Sequence, residues 1–188
     1  MKISVLLTGS ANELIDRAYL FAKEAHAGVG QLRNYTGEPY IFHPVSVARI
    51  VARVPSTAQM LSAALLHDTV EDTEVTASQI ESVFGAEVAE LVGWLTDVSR
   101  REDGNRAVRK AIDRAHTARA PARAKTIKLA DLIENTGSIV AHDPAFAKVY
   151  LHEKVLLLDV LGEGDARLLA QARQLLDAGM RRLGGFAF

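Results

Sequence analysis

The chain contains no cysteine. That excludes disulfides and thiolate-held metals, so any metal must take its ligands from His, Asp or Glu, a donor set suited to Mn, Mg, Fe or Zn. Long apolar runs are missing as well: no stretch approaches the roughly 18 apolar residues of a membrane-spanning helix. The N-terminus lacks the basic start and long apolar stretch of a signal peptide. The resulting expectation is a cytoplasmic protein with no membrane partner. Nor is charge of one sign in excess, since 22 Lys and Arg face 23 Asp and Glu for a net charge of −1. Without a basic surplus to draw in a polyanion, nucleic acid is not an expected partner. Linkers rich in Pro, Gly or Ser, internal repeats and low-complexity segments are lacking too, so nothing separates a second domain.

What the 188 residues do supply is helix. With 48% apolar and 24% charged residues, a chain of this length can bury a substantial core as one globular domain. Met1 to Thr8 alternates briefly (Ile3, Val5, Leu7) and is expected as an extended arm. From Ala11 to Ala27, the residues Leu14, Ile15, Ala18, Phe21, Ala22 and Ala25 recur at helical spacing. Gly28, Gly30 and "TGEPY" mark a loop running to about Phe42. Pro44 suits the first turn of the next helix, whose stripe is Val47, Ile50, Val51 and Val54, and Pro55 ends it. The next helix is expected over about Thr57 to Val70. Thr76 is placed to cap "ASQIESVF", and Gly85 separates that segment from "AEVAELVGWLTDVS". A basic helix follows from about Asn105 to Ala118. Pro121 opens a helix containing "TIKLADLIENT", and Pro144 opens another to about Leu161. After the turn "GEGD", the last helix runs from Ala166 to about Leu183. The expected class is all-α, a single helical bundle.

Chemistry concentrates in "ALLHDTVEDT", Ala64 to Thr73. On a continuous helix His67 and Glu71 lie four apart, as do Asp68 and Asp72, so the two pairs occupy adjacent stripes of one surface. Such acids repel unless a cation neutralises them or they face water. A fraying, solvated helix end is the plain alternative, but the apolar "LSAALL" before it suggests a helix entering a cavity. Two other segments supply partners. "YIFHPVSVA" puts His43 at a helix start, and "TIKLADLIENT" puts Asp131 in an apolar helix with Asn135 one turn later on the same face. Taken singly, His43 reads as a capping or packing histidine and Asp131 as a buried, hydrogen-bonded carboxylate. With His67 and Asp68 they form a two-His, two-carboxylate set that suits Mn²⁺ or Fe²⁺ with positions left for water and substrate. Residues 100–128 carry Arg100, Arg101, Arg106, Arg109, Lys110, Arg114, Arg119, Arg123, Lys125 and Lys128, either a solvated helix face or a local basic patch.

"HP" at 43–44, "HD" at 67–68 followed by "ED" at 71–72, and "KLAD" at 128–131 resemble the HD-domain metal phosphohydrolases. Within that family "GEPYIFHPVSVARIV", "AALLHDTVEDT", "FGAEVAELV" and "IKLADLIEN" resemble the hydrolase domain of the RelA/SpoT alarmone enzymes. The likeness covers most of residues 10–140 in the expected order. It implies one HD-type hydrolase domain over 1–188, with C-terminal helices at 144–183, and a stand-alone small alarmone hydrolase. It also implies a single Mn²⁺, or another divalent metal with N and O ligands, on His43, His67, Asp68 and Asp131. Glu71 and Asp72 would activate the attacking water, consistent with acids one turn beyond the ligands accepting its proton. Arg33 would lie near the nucleotide, Asn135 near its ribose or phosphate, and His26 in a supporting role. The implied reaction removes the 3′-pyrophosphate of guanosine tetra- or pentaphosphate, giving GDP or GTP, so the partner is a small-molecule nucleotide.

The pattern has departures. Leu132 and Glu134 stand where the family often has Arg and His, and Asn34 stands where it is often basic. "DPAFAKVYLHEK" is not the usual continuation, although Lys148 and Tyr150 within it are candidate nucleotide contacts. These differences leave the metal set intact and bear on the substrate. Another nucleotide, such as an adenosine 3′-pyrophosphate, is therefore the alternative substrate, and a non-catalytic nucleotide-binding regulatory module the alternative function. His116, His142 and His152 read as surface or helix-terminal residues. Trp94 and Tyr19 read as core, while Tyr40 and Tyr150 stay open between core and base stacking.

Overall fold

The computed structural model describes residues 9–184, so the arm expected over Met1 to Thr8 lies outside the described residues. Among those described, the chain is helical, with one isolated β-bridge between Leu32 and Pro39. It divides into two compact units, Met1–Thr96 and Asp97–Phe188. The division falls inside "LTDVSR", where no Pro- or Gly-rich linker marks it. No helix among the described residues is long and apolar enough to cross a membrane.

The first unit holds α1 (Gly9–Gly28), α2 (Phe42–Val51), α3 (Ala58–Leu66), α4 (Thr69–Asp72), α5 (Ala77–Phe84) and α6 (Ala86–Leu95). Its centre is α3, against which α1, α2 and α6 pack. Every residue from Met60 to Leu66 is buried, as expected of a helix apolar on all sides. Burial of Leu65 or Leu66 contributes roughly 1.5–3 kcal/mol each. Thr57 starts α3 by accepting a hydrogen bond from the Met60 backbone N–H at 3.2 Å. Thr76 starts α5 with a capping box shared with Gln79, and Gly85, at φ 87°, turns the chain into α6 in a conformation that only glycine adopts readily.

One expected helix is not continuous. The segment from Thr57 to Val70 breaks at His67 and Asp68, between α3 and α4. The Thr69 hydroxyl donates to the Leu66 carbonyl at 2.7 Å, occupying an acceptor at the end of α3. Asp68 meanwhile sits at φ −95°, ψ −6°, the sparsely populated bridge region common at turns and active sites. His67 and Asp68 are thus junction residues rather than members of one long helix. A bond from the Asp72 N–H to the Asp68 carbonyl, 2.9 Å, keeps the following turn close.

In the second unit, a 3₁₀ turn (Arg101–Asp103) precedes α7 (Arg106–Ala118), α8 (Ala122–His142), α9 (Pro144–Leu158) and α10 (Ala166–Arg182). Asn105, Asp143 and Asp165 cap α7, α9 and α10 through side-chain oxygens. Helices α8, α9 and α10 pack on one another. Buried Asp113 accepts from the Val98 and Ser99 N–H groups and the Ser99 hydroxyl, tying the incoming chain to α7. The "GEGD" turn runs so close to α8 that a Cβ on Gly164 would lie 2.7 Å from Leu129 Cδ1.

Candidate active site

Three side chains of the first unit converge. His43, second residue of α2, and His67, at the end of α3, are 3% and 1% exposed. His43 Nε2 lies 3.4 Å and His67 Nε2 3.1 Å from the same oxygen, Asp68 Oδ2, and the two rings are 5.2 Å apart. One ligand atom from each residue falls within 4.8 Å of the others. The His67 ring is oriented from behind: its Nδ1 lies 2.9 Å from the Ala64 carbonyl, which only accepts, so Nδ1 carries the proton and Nε2 offers a lone pair. Tyr40 donates its hydroxyl to Asp68 Oδ2 at 2.7 Å. Two buried imidazole nitrogens and one oriented carboxylate form a donor set that fits a divalent cation of borderline softness.

The acids of α4 follow immediately. Glu71 and Asp72 both reach solvent at the end of this short helix. Asp72 Oδ2 accepts from Gln31 Nε2 at 2.9 Å, and Gln31 Oε1 lies 2.6 Å from His26 Nδ1. Partial loss of water around its carboxyl, together with the Asp68 charge, raises the Asp72 pKa against the lowering effect of the Gln31 bond. Burial lowers the pKa of His26, whose ring also packs 4.7 Å from that of Tyr40. Arg33 lies in the same loop, which is closed by backbone bonds from the Arg33 N–H to Glu38 and from the Gly37 N–H to Arg33.

The remaining candidates belong to the second unit. Asp131, on α8, is 9% exposed and accepts a 2.6 Å bond from Asn135 Nδ2, with Lys128 Nζ 3.9 Å from its other oxygen. Both acceptor sites thus face polar partners. Tyr150 is buried, with its hydroxyl 3.3 Å from that of Thr136 and 3.5 Å from the Leu132 carbonyl. Burial pushes its phenol pKa upward, and it serves here as a packing residue between α8 and α9. Leu132, at a position of family departure, is likewise core, whereas Lys148 is exposed.

The basic helix α7 is neither wholly solvated nor a uniform patch. Together with α9 it borders a cavity of about 560 Å³ whose walls include Arg106, Lys110, Arg114 and Lys148 and whose apolar lining includes Val149 and Leu156. Arg106 is held by a bidentate bond to Glu153, at 2.6 and 2.9 Å. Lys110 Nζ donates to Asp97 at 2.6 Å. Burial alone would raise the Asp97 pKa, but the Lys128 and Lys110 charges overcome it and hold the carboxyl below its ordinary value. Lys154, its Nζ 5.1 Å from the Tyr150 ring centre, has its pKa lowered to about 8 by burial and by the Lys128 charge.

Residues 18–156 match the family model described as the HD domain. The chain belongs to the HD-domain family. This HD domain is 40% identical over 130 residues to a guanosine-3′,5′-bis(diphosphate) 3′-pyrophosphohydrolase of Aquifex aeolicus, covering 68% of this chain and 18% of that protein. It is 39% identical over 163 residues to a probable GTP diphosphokinase of Oryza sativa subsp. japonica, covering 80% of this chain and 22% of that protein. The chain therefore spans about a fifth of the length of these curated relatives. A solved structure of a metazoan ortholog of SpoT that hydrolyzes ppGpp superposes with a TM-score of 0.78 at 26% identity, covering 97% of this chain and 100% of that one. The HD-domain class and the all-helical fold thus agree with the sequence reading.

Sequence reasoning passed over Gln31 and left Tyr40 undecided. Gln31 lies in a loop, where no periodicity reveals which way a side chain points. Its only signal is position, two residues before Arg33 and five after His26.

Proposed function

We propose that this chain is a Mn²⁺-dependent pyrophosphohydrolase that removes the 3′-pyrophosphate of guanosine tetra- or pentaphosphate, yielding GDP or GTP and pyrophosphate. The observation that carries the reading is the convergence of His43, His67 and Asp68 within 4.8 Å, with Glu71 and Asp72 on the next turn. The names of the relatives in Aquifex aeolicus and of the metazoan ortholog support the substrate. Asp131 completes the proposed ligand set; its support is the "KLAD" motif.

His43, His67, Asp68 and Asp131 would hold the divalent cation, which would supply a more acidic water and a polarised phosphoryl oxygen. The chain's own side chains do the rest. His43, His67 and Asp68 hold fixed donors in a dry recess, with His67 oriented by the Ala64 carbonyl and Asp68 by Tyr40. Glu71 takes the proton lost by water as its oxygen adds to the phosphorus on the 3′ oxygen, and Asp72 orients that water. The breaking bond joins that phosphorus to the 3′ oxygen, which departs and takes up the proton held by Glu71, directly or through solvent, to become the 3′ hydroxyl. Arg33, Asn135 and Lys148 neutralise or hydrogen-bond the phosphates and ribose.

The test is a panel. Purified protein with Mn²⁺ is incubated with guanosine tetraphosphate, its adenosine counterpart and ordinary nucleoside triphosphates, and pyrophosphate release is measured. Release chiefly from the guanosine compound is expected. The departures at Asn34, Leu132 and Glu134 make the adenosine compound the informative competitor, and its preferential hydrolysis would overturn the guanosine assignment. Binding without turnover of any of them would favour a regulatory module.

A further inference from the structure

We propose that His26 is a positioning residue for Asp72, acting through Gln31, and so belongs to the hydrolytic site without touching substrate. The inference rests on the reading of Asp72 as the acid that orients water. Its geometry is a directed chain. Asp72 Oδ2 sits 2.9 Å from Gln31 Nε2, and Gln31 Oε1 sits 2.6 Å from His26 Nδ1. A carboxylate only accepts, so the amide must turn its NH₂ to Asp72 and its oxygen to His26. An amide oxygen also only accepts, so the proton of His26 must be on Nδ1.

The far nitrogen fits that assignment. His26 Nε2 is buried, with no hydrogen-bond partner among the described residues. A proton there would be a buried donor without an acceptor, a costly arrangement, whereas a bare lone pair costs less. The chain is also anchored at the correct end. His26 is 1% exposed near the end of α1, its ring lies against Tyr40, and the Gln31 N–H bonds back to the His26 carbonyl at 3.0 Å. Asp72 by contrast closes a four-residue helix at the surface. Left to itself, an exposed carboxylate at a helix end samples several rotamers. A rigid imidazole working through one amide confines it to one.

The test separates positioning from mere tethering of the loop. His26→Leu removes the donor, and Gln31→Glu keeps the shape while replacing the NH₂ with an acceptor. Gln31→Glu, which loses a hydrogen bond to a charged group, is expected to lower kcat about tenfold to a hundredfold, and His26→Leu, which loses the neutral bond that orients the amide, about threefold to tenfold, with KM and bound Mn²⁺ unchanged in both. His26→Asn, with an NH₂ near the place of Nδ1, should recover most of the loss. In an Asp72→Asn background His26→Leu should add less than about a twofold effect, because groups acting as a unit are not additive. Equal losses in both backgrounds, or losses confined to KM and metal content, would overturn the proposal. If His26→Leu fails to fold, Gln31→Glu carries the same comparison. A readout independent of activity is the ¹⁵N spectrum of the His26 ring in the whole protein: protonation on Nδ1 is expected, and protonation on Nε2 would overturn the proposal. Because this spectrum needs no turnover, an inactive protein would refute the hydrolase reading, while the wrong tautomer would refute this one.

Discussion

In the unit ending at Thr96, the acids of the candidate site receive hydrogen bonds from neutral donors: Tyr40 to Asp68 and Gln31 to Asp72. In the unit beginning at Asp97, Asp97 and Glu153 are held by cations of α7, Lys110 and Arg106, whereas Asp131 keeps a neutral amide, Asn135, as its nearest partner. The two solutions differ in what they leave behind. A neutral donor fixes a carboxylate in place without cancelling its charge, so it preserves an attraction for an external cation. An ion pair fixes and neutralises together, and the four basic side chains of the cavity, Arg106, Lys110, Arg114 and Lys148, outnumber the two acids that Arg106 and Lys110 bind, Glu153 and Asp97, which leaves an attraction for an anion. The first unit thus presents a His and Asp group that could hold a metal, and the second a cavity with basic side chains in its walls.

Removing a ligand from the first region should have the largest effect. Asp68→Ala is expected to lose bound metal by elemental analysis and to cut turnover by more than about a hundredfold, beyond the 10- to 100-fold typical of outer-shell partners. Glu71→Gln should retain the metal yet lose about a hundredfold or more in kcat, the scale of a missing general base. If the metal is lost with it, Glu71 is a ligand instead. In the second region, Lys148→Ala should raise KM about fivefold with little change in kcat, an effect that shrinks as added salt screens exposed charge. A fall in kcat alone would assign Lys148 to the chemistry rather than to phosphate binding.

The smallest effect concerns stability. Lys154 titrates at about 8 in the folded protein, below the 10.5 of an unperturbed lysine. Between these values the unfolded chain binds more protons, so stability rises with pH across that window, and below it the charged form is penalised in full. Lys154→Met should therefore raise the thermal midpoint at pH 7 and remove part of its increase between pH 8 and 10. An unchanged difference from wild type across that range would place Lys154 in water.

Much of the helical fold and the His67–Asp68 pair were legible in the sequence, for identifiable reasons, while the difference in donors was not. Thr76, Pro121 and Pro144 announce helix starts because their side chains act locally, and each stands at the start of a helix. The pairing of His67 with Asp68 was legible because adjacent residues cannot be far apart. The break after Leu66 was not, since it depends on Thr69 donating to a carbonyl three residues back, a choice that helical periodicity does not record. Gln31 stayed hidden for a related reason: its role depends on a loop bringing it between α1 and α4, 41 residues from Asp72 in the chain. The division after Thr96 lacks any linker composition, so nothing local marks it.

The central claim, a metal site built to release pyrophosphate from the 3′ position, is tested most directly by ³¹P NMR. Guanosine tetraphosphate is followed with the wild-type protein and Mn²⁺, before and after addition of a chelator. The expected spectrum gains inorganic pyrophosphate while the 5′-diphosphate signals of GDP persist, and the reaction stops on chelation. Release of single phosphates, loss of the 5′-diphosphate signals, or turnover that continues after chelation would contradict it.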